Sequence, residues 1–247
     1  FNVDSLVSAG NMFYAATAFN NGDLGNNGLK PLSWDFTNNS TGLTSFNDMF
    51  HSTTSSFNQD VSSFKISGNA ASFFYNQSIF NNGGQSLNTL DVSAVTNFTS
   101  MFQGTTFNQN IHSWNISSAT NFSRMFQSVS QFNQNISDWY INGFNTSLSS
   151  FYAMLYGTSM TDEQFTDTIV GWAVAVSRDS GPYNISAATN ASSAPTNATF
   201  LTTRTQDTDN SGNSVDYSTK YGNDWDSNWT NAGDARQFLL DNGWSIN

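Results

Sequence analysis

The acidic stretch from Asp207 to Asp216 carries the clearest chemical pattern in this sequence. It begins Asp-Thr-Asp-Asn-Ser-Gly, with oxygen-bearing side chains at alternate positions and a glycine where the chain must turn tightly. Hard cations such as Ca²⁺ bind carboxylate, amide and hydroxyl oxygens in loops of this kind. The glutamate that closes an EF-hand loop is missing, and Ser218 stands in its place, so a solvated acidic loop is the alternative. The predicted ligands of a structural calcium ion are Asp207, Asp209, Ser211, Asn213 and Asp216.

Side chains suited to catalysis are scarce. The chain has no cysteine and only two histidines, His51 and His112, at positions where other repeats of the chain carry tyrosine, glutamine or serine. A general base needs a fixed partner and orientation, which a freely varying position does not provide. The adjacent acids Asp162 and Glu163 stand at the start of a predicted helix, where they complement the helix dipole. We therefore predict that the protein is not an enzyme.

A repeated hydrophobic pattern organises residues 1–155. Its most regular mark is a pair of large apolar residues, and the pairs Met101-Phe102 and Met125-Phe126 are 24 residues apart. This spacing lies in the range of about 20–29 residues that is typical of leucine-rich repeats. The remaining pairs are Met12-Phe13, Met49-Phe50, Phe73-Phe74 and Met154-Leu155.

Each repeat has two predicted parts, joined by a Phe-Asn-Gln return loop. Apolar and polar residues alternate over residues 90–93, which predicts a short strand, and the same alternation occurs at 34–37, 64–67, 114–117 and 139–142. Residues 96–102 and 120–126 place apolar side chains at helical spacing, which predicts one or two helical turns. The predicted fold is an α/β repeat solenoid, a leucine-rich-repeat-like right-handed coil of about five turns with an α/β C-terminal cap.

The asparagines of the return loops recur with the repeats. They could form a glycan-binding row on the surface. A buried asparagine at a repeating turn can instead satisfy backbone groups in its own and the next coil, and we favour this structural ladder. The asparagines are Asn20, Asn58, Asn81, Asn108 and Asn133.

The residue after each apolar pair is polar or amphipathic, which predicts partial exposure. Exposed aromatic side chains along a repeat surface can stack on sugars or on a partner protein. A boundary position at the edge of the core is the alternative. The predicted ligand or partner face is Tyr14, His51, Tyr75, Gln103, Gln127 and Tyr156.

Residues 156–247 break the repeat pattern and form the predicted cap. Thr161 and Gln164 match a helix capping box, and apolar residues follow at helical spacing. A polar insert over 177–230 precedes a second predicted helix at 234–241, a stop at Gly243 and a closing strand. A terminal unit of this kind covers the last hydrophobic face of a repeat stack.

The composition excludes several partners. Charged residues make up only 10% of the chain and give a net charge of −11, while 22 phenylalanines supply a large core. A negative chain repels nucleic acid and anionic membranes, and no apolar run could span a bilayer. We expect no nucleic-acid partner and no direct membrane insertion, and because the chain begins at Phe1 we interpret it as a processed or excerpted segment.

Acceptor sequences for N-glycosylation are frequent and favour an extracellular or cell-surface location. A chain rich in asparagine, serine and threonine also produces such matches by chance. The candidate acceptors are Asn38, Asn39, Asn76, Asn97, Asn115, Asn121, Asn135, Asn145, Asn184, Asn190, Asn197 and Asn228.

The combination of Met-Phe, Phe-Asn-Gln and Trp-x-Ile-Ser motifs resembles the BspA-type leucine-rich-repeat surface proteins, including mycoplasma lipoproteins. The resemblance continues at residues 165–172 and 235–246 and covers most of the chain. It implies a secreted or surface-attached domain linked to adhesion, with no catalytic residues. The sequence departs from the family at Phe64 and Leu90, where tryptophan is usual, and at Gly222, where a cysteine is usual.

These observations lead to two functional hypotheses. The first is a non-catalytic adhesion module whose solenoid face binds a glycan or a surface protein. The second is a structural subunit that binds copies of itself in a surface layer or filament, because the first coil looks less protected than the capped end.

Overall fold

The computed structural model describes residues 6–19, 43–52, 57–139, 151–178, 195, 198–208 and 211–242. None of the helices in these ranges has both the length and the apolar character that a membrane crossing requires. The elements are β1 (Lys65–Asn69), β2 (Asp91–Asn97), α1 (Asp162–Arg178), β3 (Gln206–Thr208), β4 (Ser214–Asp216), α2 (Tyr217–Tyr221) and α3 (Ala232–Asp241), with 3₁₀ turns at Asn82–Gly84 and Gly222–Asp224.

Neighbouring repeats pair side by side in parallel. Strands β1 and β2, which lie in consecutive repeats, form a parallel two-stranded sheet. Single parallel bridges continue this pairing on both sides, from Ser45 to Asn69 and from Asn97 to Asn121. The strands predicted at 64–67 and 90–93 are therefore confirmed within one or two residues.

Residues 114–117 do not form the predicted strand. The N–H of Ser117 donates to Oδ1 of Asn115 (3.1 Å), and pairing with the preceding repeat is limited to the bridge from Asn97 to Asn121. The strand predicted at 34–37 lies outside the described residues, and so does all but Trp139 of the one predicted at 139–142.

The segments after the strands form consecutive turns and not the helical turns predicted over 96–102 and 120–126. Ser100 has a left-handed φ of 56°, which an α-helix does not contain. Its N–H donates to the carbonyl of Ser123 in the next repeat at 2.9 Å. The helix prediction is wrong because hydrogen bonds between repeats replace those within a helix.

Stacked phenylalanines fill the interior. The ring centroid of Phe74 lies 5.8 Å from that of Phe50 and 5.5 Å from that of Phe102, with nearly parallel rings. A second column contains Phe57 and Phe80, 6.0 Å apart. All five side chains are buried, so the aromatic columns form the core.

The return-loop asparagines form a hydrogen-bond ladder. Oδ1 of Asn58 accepts from the N–H of Asn81, and Oδ1 of Asn81 accepts from the N–H of Asn108, at 2.7 and 2.8 Å. Asn133 continues the ladder with a 2.8 Å bond to Oδ1 of Asn108. The structural interpretation of these side chains is confirmed for the described members, and Asn20 lies outside them.

Helix α1 lies against the last repeats. It starts after Thr161, whose Oγ1 accepts from the N–H of Gln164 (3.3 Å), which is one half of the predicted capping box. The N–H of Thr161 donates to Oδ1 of Asn133 (2.9 Å) in place of the Gln164 side chain. The backbones approach closely at Gly171, where a Cβ atom would lie 2.2 Å from the carbonyl oxygen of Ser137. Glycine is needed here because any side chain would push α1 away from the last repeat.

Helix α3 packs on α1 and begins two residues before the predicted start. Asn231 caps it, and Asp234 completes a capping box. The predicted stop at Gly243 and the closing strand after it lie outside the described residues. The leucine-rich-repeat class and the right-handed sense of the coil remain predictions.

Candidate functional site

The residue after each apolar pair falls in one surface column, which we call the rim column. Backbone hydrogen bonds join its members: the N–H of Ala15 donates to the carbonyl of His51 (2.7 Å), and the same bond recurs at each step up to Ser128 and Tyr156 (2.8 Å). The structure therefore brings the whole predicted face together. The rim column comprises Tyr14, His51, Tyr75, Gln103, Gln127 and Tyr156.

The rim column is partly exposed along its length. The two end members, Tyr14 and Tyr156, are 52% and 44% exposed, and the four between them are half-buried. The ring of His51 lies 4.7 Å from that of Tyr14 and 4.6 Å from that of Tyr75, centroid to centroid. The column is thus both the edge of the core and a continuous surface ridge.

An acidic residue orients the histidine of the rim column. Nδ1 of His51 lies 2.8 Å from Oδ1 of Asp48, and the amide of Asn47 donates to the other carboxylate oxygen at 3.0 Å. A neutral imidazole that donates from Nδ1 keeps Nε2 as a bare acceptor. In that tautomer His51 offers an acceptor to a ligand.

A second polar cluster lies inside the cap. The carboxylate of Asp167, 0% exposed, accepts from Nε and Nη2 of Arg204 at 2.8 and 3.0 Å and from the hydroxyl of Tyr217 at 2.5 Å. Burial raises the pKa of Tyr217 far above its ordinary value, and the charge of Asp167 adds to this shift. The tyrosine therefore stays protonated and donates.

The predicted calcium ligand Asp207 belongs to this interior. It is 1% exposed, and its Oδ2 accepts from Nζ of Lys220 at 2.9 Å. Burial raises the pKa of Asp207, and the ammonium of Lys220 opposes that shift. Lys220 also contacts Oδ1 of Asp138 at 2.8 Å. An internal cation thus occupies the position that the sequence assigned to calcium.

The other predicted calcium ligands are dispersed. Strands β3 and β4 form an antiparallel hairpin, and Asp216 accepts from Nε2 of Gln206 across it at 3.0 Å. Asn213 lies exposed in the hairpin loop, Ser211 lines a cleft of about 240 Å³ together with Asp207, and Asp209 is outside the described residues. No cluster of three or more acidic or histidine side chains suited to a metal occurs in the described ranges. Calcium binding remains a prediction.

Sequence reasoning did not identify the cap cluster. Asp167 lies within the apolar run that the helix pattern assigned to packing, and Arg204 and Lys220 lie in the predicted polar insert. One signal was available, since the chain has only 7 basic residues against 18 acidic ones. When basic residues are so few, each of them is a candidate partner for a buried acidic side chain.

The predicted glycosylation acceptors differ in their exposure to solvent. Asn135 is 4% exposed, and its Nδ2, the atom that would carry a glycan, donates to Oδ1 of Asp207 at 3.1 Å. A glycan on Asn135 would have to replace this packing, and glycosylation of the acceptors remains a prediction. Asn115 and Asn228 are exposed, Asn76, Asn97 and Asn121 are half-buried, and Asn38, Asn39, Asn145, Asn184, Asn190 and Asn197 lie outside the described residues.

Comparison with known proteins identifies one family. A family model described as "Mycoplasma protein of unknown function, DUF285" matches residues 1–83 and 44–168, which include the rim column and the start of α1. No curated protein and no solved structure matches the chain. Because the family match extends over more than half of the sequence, the chain belongs to this family of mycoplasma proteins.

Proposed function

We propose that this protein is a non-catalytic adhesion module of the BspA-type surface-protein class, located outside the cell or on its surface. The observation that carries the proposal is the rim column, which presents six side chains with hydrogen-bonding groups on one ridge. Ring contacts restrain Tyr14, His51 and Tyr75, and backbone bonds between repeats fix the spacing of the column, so ordering the ridge on binding costs little. The motif resemblance to adhesion-linked surface proteins supports the same proposal.

The test compares adhesion of the full chain with that of two variants. Beads coated with the protein are offered to cultured animal cells and to immobilised host-surface proteins. We expect the double variant Tyr14→Ala/Tyr75→Ala to bind at least tenfold more weakly, because it removes two aromatic contacts from the ridge. Ile79→Ala is the matched control, since Ile79 is 47% exposed and lies outside the rim column. Equal adhesion by all three proteins would reject the proposal.

Self-assembly into a surface layer or filament is the second candidate. One observation favours it: Met12, Phe13 and Phe19 in the first described repeat are only partly buried, whereas their counterparts in the next repeat, such as Met49 and Phe50, are fully buried. Partly buried core positions at the end of a repeat stack favour stacking of another unit.

A further inference from the structure

Three rings of the rim column lie side by side. His51 lies between Tyr14 and Tyr75 at centroid distances of 4.7 and 4.6 Å, with ring planes tilted by 49° and 46°. The neighbouring rings restrict access to the two faces of the imidazole. The polar edges of the rings are the groups that remain for a ligand.

These polar edges have unused hydrogen-bonding capacity. Within the described part of the chain, the hydroxyls of Tyr14 and Tyr75 bond to no other residue. Gln103 adds a half-buried amide to the row, whereas Oε1 of Gln127 is buried beneath the surface. A hydroxyl both donates and accepts, an amide does the same through two atoms, and the tautomer of His51 that donates from Nδ1 offers Nε2 as an acceptor. A ligand that matches this row carries both donors and acceptors at short intervals.

Charge limits the ligand further. The rim column contains no lysine or arginine. The charges beside it are the carboxylate of Asp48, next to His51, and the exposed guanidinium of Arg124, which has the same place in a later repeat, so one charge of each sign flanks the column. The whole chain carries a net charge of −11, which repels sulfated or carboxylated chains. The matching ligand is therefore uncharged.

The spacing of the side chains along the rim column favours a glycan over a peptide as the ligand. The rings recur every 4.6–4.7 Å along the stack. Side chains on one face of an extended peptide recur about every 6.7 Å, so a peptide lying along the column loses register within two repeats. A 1,4-linked six-membered sugar ring advances roughly 5 Å per unit, as bonds of about 1.5 Å require. One sugar unit per repeat stays in register.

We propose that the rim column binds a linear, uncharged polysaccharide that lies along the stack with one sugar unit per repeat. This proposal rests on the proposed adhesion function and specifies its ligand. The column has five steps of about 4.8 Å, so it extends over roughly 24 Å and accommodates about five or six sugar units. Affinity therefore rises with chain length up to that number.

The experiment titrates the full chain with linear β-1,4-linked glucose oligomers of two to six units by calorimetry. Maltohexaose, which curves, and an extended neutral peptide of similar length serve as comparison ligands. We expect binding that strengthens at each added unit, with weaker binding of both comparison ligands. The variant Tyr14→Phe/Tyr75→Phe keeps both rings and loses both hydroxyls, so we expect roughly fivefold weaker binding for each hydroxyl removed. Ile79→Ala should bind like the parent protein.

The outcomes separate this proposal from the adhesion function. Affinity that does not change with chain length, or full binding by the phenylalanine variant, overturns the glycan geometry. Preferred binding of the peptide overturns the glycan class. If no oligomer binds but the double alanine variant still loses adhesion to cells, the glycan proposal fails and the adhesion function stands. If the alanine variant keeps adhesion, both fail.

Discussion

Single residues of the cap show how this acidic chain tolerates buried charge. Asp167 is fully buried, and Arg204, Tyr217 and the N–H of Thr208 supply its hydrogen bonds. A buried carboxylate is tolerated only when such partners replace water. The cluster joins the apolar helix α1 to β3 and α2, two short elements with few buried residues.

Removal of the cationic partner should destabilise the fold strongly. Arg204→Ala leaves the Asp167 carboxylate without its cation, and we expect the free energy of unfolding to fall by about 3–5 kcal/mol. Arg178→Ala is the control, because Arg178 and Asp224 pair at the surface and such pairs contribute about 0–1 kcal/mol. Urea denaturation of both variants measures the difference. Similar losses in the two variants would contradict the interpretation of Asp167 as a buried, dependent charge.

At the scale of elements, the N-terminus of α3 carries a titratable cap. Asp234 accepts from the N–H and the hydroxyl of Thr230 and from the N–H of Asn231, at 2.5, 2.8 and 3.2 Å. The backbone and side-chain hydrogen bonds from Thr230 lower the pKa of Asp234 below its ordinary value of 3.8. The ionised carboxylate thus stabilises the start of the helix.

The lowered pKa predicts a pH dependence. The stabilisation by Asp234 is complete above its ordinary pKa of 3.8 and is lost as the pH falls through the lower pKa of the folded state. The variant Asp234→Asn should melt at a lower temperature than the parent protein at pH 6. The difference should disappear on acidification below pH 3.8, as measured by circular dichroism. A difference that persists or grows in acid would show that the carboxylate does not act through its charge. Gln237→Ala, an exposed change on the same helix, controls for helix propensity.

At the scale of the whole molecule, the backbone hydrogen bonds between the turns of successive repeats all point in one direction along the stack. Each ladder N–H belongs to an earlier repeat and each carbonyl to a later one, as in the bond from Asn11 to Asn47 and the bond from Asp48 to Ala71. In the first described repeat, Gly10 and Met12 have the same places as Asn47 and Met49, whose carbonyls accept hydrogen bonds from the repeat before them. The far end of the stack is covered by α1.

The common direction of these hydrogen bonds predicts that the protein is a monomer. In the turns, two copies that meet through their first described repeats would oppose carbonyl to carbonyl, and α1 lies against the other end of the described stack. We expect sedimentation to show one species over a wide concentration range, with calcium and with chelator alike, since Lys220 already neutralises Asp207. Concentration-dependent oligomers would favour the structural subunit. An effect of chelator on the sedimenting species or on thermal stability would place calcium in the hairpin loop.

The sequence by itself determined the repeats, the columns and the helices of the cap. Apolar pairs at a regular spacing must stack, because no single repeat can bury its aromatic face alone. The Asn81 ladder and the capping of α1 by the side chain of Thr161 follow from local rules of hydrogen bonding, and these predictions hold. The position of the rim column follows from register, since each member has the same place in its repeat.

Only the tertiary structure decided the conformation of the turns and the partners of the buried charges. Helical spacing of apolar residues fits both a helix and consecutive turns, and the hydrogen bonds offered by the next repeat select the turns at Ser100. Asp207 matches a calcium pattern in the sequence, yet Lys220 lies 13 residues away and becomes its cation only after β3, β4 and α2 fold together. Such choices depend on groups that are distant along the chain, and local spacing contains no information about them.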